Sequence, residues 1–162
     1  MTTSASAADS LPLPVTVRAA SARDYEAAVR LYRTYLGDEF VLNAALWEAF
    51  CGQESHRALV AETADGRVVG LVTVVVTERI RLATSTRRHR FHVDDLVVDP
   101  DLRRRGIAKA LLAETVAMAR AERPSYLIVS CDFTNVAARR TYEAAGLSLV
   151  RQNSDRFELA FS

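Results

Sequence analysis

Three consecutive arginines, Arg103, Arg104 and Arg105, run into Gly106, and Gly106 opens a long Ala/Leu-rich segment. A β-branched run and the pair Asp99-Pro100 come just before them. Strand, glycine-containing turn and helix N-terminus in that order make a place to hold phosphate, because first-turn N–H groups lack partners inside the helix. The arginines bring cationic charge to the same corner. The spacing Arg103-x-x-Gly106-x-Ala108 differs from a dinucleotide fingerprint, which wants three glycines, and from a P-loop, which wants Gly-Lys-Ser/Thr. Just upstream, Asp94 and Asp95 interrupt an apolar strand over residues 91–98. Carboxylates there are costly if buried without partners, so this end of the strand is expected to open into a cleft.

These groups need elements to position them. Residues 1–14 are Ser/Ala/Thr-rich and read as a disordered leader, so the domain is expected over 15–162. A first strand begins at Val15, and Ser21 with Asp24 resembles a capping box. Ala28, Leu31, Tyr32 and Tyr35 follow at helical spacing up to Gly37. A second helical piece, about 42–50, carries an apolar stripe of Leu42, Leu46, Trp47 and Phe50, which reads as core before cleft lining. Asp65-Gly66 is a hairpin turn between strands 58–62 and 67–76. The second of these is apolar on both faces and is placed centrally in the sheet. Gly70 within it predicts a bulge or a close backbone approach.

Residues 77–90 carry Arg79, Arg81, Arg87, Arg88, His89 and Arg90 among Ser and Thr. They read as an exposed loop, with a lid over an anion or a surface for an acidic partner as the rival. In strand 91–98, strict alternation puts Phe91, Val93, Asp95 and Val97 on one face. His92, Asp94, Leu96 and Val98 take the other, so at most one aspartate should enter the cleft. A helix from Gly106 to about Arg120 leads to a parallel strand, 126–131, in a right-handed βαβ unit. Asn135 caps a helix that ends at Gly146. Residues 147–151 and 156–161 are read as a final hairpin.

The chain is 162 residues long, enough for one domain with a real core. Its 21 basic and 20 acidic side chains nearly cancel, which argues against a dedicated nucleic-acid partner. Cys51 and Cys131 make no disulfide framework, and Cys131 reads as packing. No run approaches the length of a membrane span, so a cytoplasmic protein with no membrane partner is expected. No set of side chains has metal-ligand spacing, and no metal is expected. A homodimer is the expected assembly, through exposed strands of the final hairpin.

Val97-Val98-Asp99-Pro100 followed by Arg103-Arg104-Arg105-Gly106-Ile107-Ala108-Lys109-Ala110-Leu111-Leu112 resembles the acyl-coenzyme-A signature of the GNAT superfamily of N-acetyltransferases. A second block, Asn135-x-x-Ala138-x-x-x-Tyr142-x-x-x-Gly146-Leu147, resembles its Asn…Ala…Tyr…Gly-Phe segment, with Leu147 for the usual aromatic. The resemblance implies a mixed α/β fold with a mostly antiparallel sheet of about six to seven strands, a splayed parallel pair, and about four helices on both faces. It implies acetyl-coenzyme A as cosubstrate and direct transfer to a primary amine of a small molecule such as a polyamine, aminoglycoside or amino-acid-like compound. A protein N-terminal or lysine acetyltransferase is the alternative acceptor class, and a non-catalytic acyl-coenzyme-A sensor is the alternative function.

By the same resemblance, Arg103, Arg104, Arg105, Gly106, Ile107, Ala108 and Lys109 wrap the pyrophosphate, and backbone N–H groups of Leu96, Val97 and Val98 meet the pantetheine arm and thioester. Asn135 and Ala138 also contact the coenzyme. Tyr142 is implied as proton donor to the leaving thiolate. Asp94, Asp95 or water is the candidate base for the amine. His92 could be a base by chemistry but has no obvious partner in the sequence.

Overall fold

A computed structural model of the chain describes residues 11–84, 86–132 and 134–149. Five strands form one sheet in the order β1-β2-β3-β4-β5. They are β1 (Thr16–Ala19), β2 (His56–Glu62), β3 (Val68–Arg81), β4 (Thr86–Val98) and β5 (Tyr126–Val129). The first four pair antiparallel, and β5 lies parallel to β4. The described residues also form four α-helices, α1 (Tyr25–Leu36), α2 (Ala44–Gly52), α3 (Ile107–Glu122) and α4 (Val136–Ala144). This is the expected mixed architecture with somewhat fewer strands. The expected final hairpin lies outside the described residues from Val150 onward, as does the leader up to Ser10.

The two faces of the sheet have separate cores. On one, Leu31 and Tyr32 of α1 and Trp47 of α2 pack on Val60, Leu71 and Val97. On the other, Ile107, Leu111 and Ala119 of α3 pack on Val69, Val72, Val74, Phe91 and Val93. β3 supplies both cores and lies at the middle of the sheet, as its two-sided apolar run requires. In α2 the stripe divides: Trp47 is buried with its indole N–H on the Ser21 carbonyl at 3.0 Å, whereas Leu46 is 67% exposed. Ser21 N–H donates to Asp24 Oδ2 at 2.8 Å, which starts the chain into α1. Asp24 is held in turn by Arg18. Burial works against its charge, but the Arg18 guanidinium and the Ser21 N–H overcome it and set its carboxyl below the usual range.

Gly70 shows both features its position predicts. The β2–β3 register shifts between Ala61 and Glu62, opposite this part of β3. A Cβ on Gly70 would lie 2.8 Å from Ile107 Cγ2 and 3.0 Å from Leu111 Cδ1, so α3 rests directly on the β3 backbone. Gly70→Ala is therefore expected to destabilise the fold by about 1–3 kcal/mol through overpacking, read as a lower chemical-denaturation midpoint at unchanged m-value.

Residues 77–90 form a two-stranded arm, which corrects the expected loop. β2 stops pairing at His56↔Val75, yet β3 and β4 stay in register through Thr77↔Arg90, Arg79↔Arg88 and Arg81↔Thr86. Even the apolar Ile80 and Leu82 are exposed here, so neither strand face needs an apolar side, and period-two hydrophobicity is lost although the backbone still pairs. The guanidiniums of Arg88 and Arg90 each lie 5.8 Å from the centre of the Tyr126 ring. The arm leaves the sheet at the beginning of β4. Asp94 lies six residues beyond Arg88, about 20 Å away at strand rise.

Candidate functional site at the open end of the parallel pair

β4 and β5 pair only from Arg90↔Tyr126 to Val93↔Val129. β4 then runs on to Val98 while β5 ends. Alternate N–H and C=O groups of this extension point away from β3 into the gap. The gap is a cleft of about 670 Å³, walled by the β4 extension, the Arg103–Lys109 turn, the end of β5 and α4. Asp94, Asp95, Leu96, Val97, Val98, Arg103, Arg104, Gly106, Ile107, Ala108, Lys109, Asn135, Ala138 and Tyr142 all line it. Residues that lie up to 48 positions apart, from Asp94 to Tyr142, thus meet in one space.

Arg105 is placed differently. Its Nε donates to the Leu11 carbonyl at 3.2 Å, and its own carbonyl accepts from Leu13 N–H at 2.9 Å. It holds the N-terminal segment on the fold, whereas Arg103 and Arg104 border the cleft. Side chains on adjacent positions of a turn cannot all face one way. Cys131, read from the sequence as packing, is exposed and borders the cleft near Tyr142.

The turn brings helix-start N–H groups and cationic side chains together. Gly106 adopts φ 83° and ψ 0°, in the left-handed region, and no side chain caps α3. The first main-chain bond of the helix is Ala110 N–H to the Gly106 carbonyl, so the N–H groups of Ile107, Ala108 and Lys109 have no partner within α3. They line the cleft at the positive end of a 16-residue helix, with Arg103, Arg104 and Lys109 alongside. The strand end leading to the turn is fixed by Asp99. This carboxylate is buried and accepts from Arg67 at 2.6 Å, Arg30 at 3.1 Å and Asp101 N–H at 3.3 Å. The sequence reading missed this tie, because its arginines lie 69 and 32 residues away.

The opposite end of the cleft is acidic, and a β-bulge makes it so. The β3–β4 register jumps from Thr73↔Asp95 to Val74↔Val93, leaving Asp94 as the extra residue. An extra residue inverts the alternation beyond it. Phe91 and Val93 face α3, but past the bulge Leu96 and Val98 face α3 while Val97 joins the α1 core. The expected sharing of faces is thereby corrected. Asp94 and Asp95 both border the cleft.

The two carboxylates are in different states of engagement. Asp95 Oδ2 accepts from Tyr32 Oη at 2.8 Å and Thr73 Oγ1 at 3.2 Å, and Oδ1 accepts from Tyr35 Oη at 3.0 Å. Three of its roughly four acceptor sites are filled. Asp94 is 56% exposed, and His92 Nδ1 lies 3.8 Å from its Oδ1. His92 therefore has the acidic neighbour that the sequence reading did not assign to it.

On the far wall, α4 begins at Asn135, whose side chain accepts Ala138 N–H at 3.0 Å. The Tyr142 carbonyl accepts from Leu147 N–H and Ala145 N–H, each at 3.1 Å, which pins the last turn. Burial, with Cys131 adding to it, pushes the Tyr142 phenol above its ordinary value. A phenol so placed holds its proton at neutral pH. Among the described residues no helix is long and apolar enough to cross a membrane, and no group of His, Cys, Asp and Glu is set to hold a metal ion.

Residues 25–147 match the model of the acetyltransferase (GNAT) family. In fold the chain is similar to a mutant of the BH1408 protein of Bacillus halodurans, at 21% identity and TM-score 0.73 over 89% of this chain and 99% of that one. It is similar to an aminoglycoside 6'-N-acetyltransferase of Acinetobacter baumannii, at 15% identity and TM-score 0.73 over 92% and 100%. An aminoglycoside acetyltransferase from an uncultured soil metagenomic sample, in complex with sisomicin, is similar at 16% identity and TM-score 0.73 over 90% and 96%.

Proposed function

The chain belongs to the acetyltransferase (GNAT) family, and on that premise we propose that it moves the acetyl group of acetyl-coenzyme A directly to a primary amine of a small cationic molecule. The observation that carries this reading is the polarity of the cleft. One end is a helix N-terminus with Arg103, Arg104 and Lys109, suited to an anionic donor; the other holds Asp94 and Asp95, suited to a cationic acceptor. The two similar structures named for aminoglycoside acetylation support a small-molecule acceptor, and polyamines and amino sugars share its chemistry.

The cleft residues fit acetyl-coenzyme A. Gly106 in the left-handed conformation brings to the cleft three N–H groups that have no partner within α3, the donor set a pyrophosphate needs. Arg103, Arg104 and Lys109 would balance its charge, and Asn135 and Ala138 would border the chain leading from it. The backbone groups of Leu96, Val97 and Val98 that face the gap, beyond the end of the β5 pairing, would hydrogen-bond the pantetheine amides as a neighbouring strand would. When bound, the coenzyme supplies an activated acetyl thioester. The N–H groups of the β4 extension are preorganised donors for charge that develops on an acyl oxygen there.

The protein's own groups handle the protons. An alkyl ammonium has a pKa near 10.4, so the acceptor must lose a proton before it can attack. Asp94 accepts it, directly or through water, because its oxygens are open where those of Asp95 are filled. His92 lies beside it, with Nδ1 3.8 Å from Asp94 Oδ1. Tyr142 holds a proton at Oη on the opposite wall, in place to pass to the departing thiolate.

Gly106→Ala is expected to weaken coenzyme A binding about tenfold, since holding a Cβ residue left-handed costs about 1–2 kcal/mol. Calorimetric titration of coenzyme A into both proteins measures it. Thiol release from acetyl-coenzyme A against polyamines, aminoglycosides, amino acids and lysine peptides tests the function as a whole. Turnover confined to the small cationic amines is the expected outcome. Turnover with peptides alone would replace the acceptor class, and tight coenzyme A binding with no turnover would favour a sensor.

A further inference from the structure

The hydroxyl of Tyr35 has a fixed polarity. Tyr32 and Tyr35 stand one helical turn apart on α1 and both donate to Asp95. Tyr32 is buried, its ring 5.3 Å from that of Phe40. Tyr35 is 48% exposed and borders the cleft with Asp94. Thr73 closes the arrangement from β3: its Oγ1 donates to Asp95 Oδ2 at 3.2 Å and accepts the Asp95 N–H at 3.1 Å. Each phenol has one proton, and that of Tyr35 is committed to Asp95. What Tyr35 offers the cleft is the remaining lone-pair capacity of its oxygen.

We propose that Tyr35 and Asp94 together form the amine-recognition site, that this site accepts hydrogen bonds and gives none, and that Asp95 is the positioning residue that imposes this polarity. The proposal rests on the acetyl-transfer reading and narrows its acceptor. Favoured amines carry further N–H or O–H donors beside the reacting nitrogen, as polyamines and amino sugars do. Free amino acids are disfavoured. Their carboxylate would meet the Asp94 charge and a Tyr35 oxygen with no proton to give, an unpaired arrangement that costs more than a missing contact. The phenol also keeps the proton that it gives to Asp95. Burial, and then the charge of Asp95, push Tyr35 well above its ordinary value.

The test compares wild type, Tyr35→Phe and Asp95→Asn. For each, kcat/KM is measured for a polyamine, an amino sugar and a free amino acid, with KM for acetyl-coenzyme A and a thermal melt alongside. Tyr35→Phe keeps the ring and removes the lone pairs. Asp95→Asn replaces one accepting oxygen by an N–H₂ group, which forces a tyrosine hydroxyl to turn its proton elsewhere. In both variants the preference for donor-rich amines over the free amino acid is expected to fall about tenfold, the worth of one well-placed hydrogen bond. KM for acetyl-coenzyme A is expected to stay within about twofold, because the pyrophosphate corner is untouched.

An unchanged preference in both variants, with all amines slowed alike, would reduce the cluster to a structural role and overturn the proposal. A wild-type preference for the free amino acid would overturn it while leaving acetyl transfer standing. Absence of turnover with every amine would remove the acetyl-transfer reading itself and this proposal with it.

Discussion

Tyr142→Phe is expected to lower kcat by about 10²–10³-fold, the usual scale of a positioned proton donor, while KM for acetyl-coenzyme A changes little. The phenyl ring fills the same volume, and the cap at Asn135 and the bonds to the Tyr142 carbonyl do not involve the hydroxyl. What the variant loses is the proton at Oη facing the cleft. The pH dependence carries the sign. Burial, with Cys131 adding to it, raises the phenol above 10.0, so its acid form persists through neutral pH and is lost only as pH rises past that value. In the wild type, activity should fall on the alkaline side above about pH 10, and this fall should be missing from the residual rate of Tyr142→Phe. Steady-state rates across pH, with the amine saturating, measure both.

Asp94→Asn is expected to lower kcat/KM for the amine by about 10²-fold at neutral pH. The amide keeps the shape of the bulge but cannot take a proton. As pH approaches the amine's own value, near 10.4 for a lysine-like amine, solvent removes that proton and the deficit should shrink. A deficit that stays constant across pH would point to lost charge attraction for the acceptor instead of lost base. Because Asp94 is 56% exposed, the substitution should leave the melting temperature nearly unchanged, which separates this result from misfolding.

Much of this was legible in the residues, for identifiable reasons. β3 has apolar side chains on both faces, and only a central position buries both. The glycine start of α3 and the cations beside it were legible because glycine before a helix and clustered arginines are both local signals. Asn135 marked the start of α4, and Asn135 does cap it.

What the sequence concealed depends on pairing at long range. The bulge at Asp94 carries no period of its own, and adjacent aspartates in an apolar strand were its only trace. Strict alternation therefore sent Asp94 and Asp95 to opposite faces. Tyr32 and Tyr35 entered the α1 stripe as apolar bulk, since nothing local reveals that their hydroxyls meet a carboxylate 63 and 60 residues away. The basic arm reads as a loop because its side chains show no apolar alternation, although the backbones of its strands pair residue by residue. Arg105 was grouped with its neighbours on charge, while its geometry ties it to Leu11.

The most direct measurement of the central claim is product analysis. The protein is incubated with acetyl-coenzyme A and a polyamine or aminoglycoside, and free thiol and acetylated amine are quantified together, the latter by mass spectrometry. The account predicts one acetylated amine for each thiol released, at rates that collapse in Tyr142→Phe and Asp94→Asn. Thiol release without acetylated amine, or equal product in all three proteins, would contradict it.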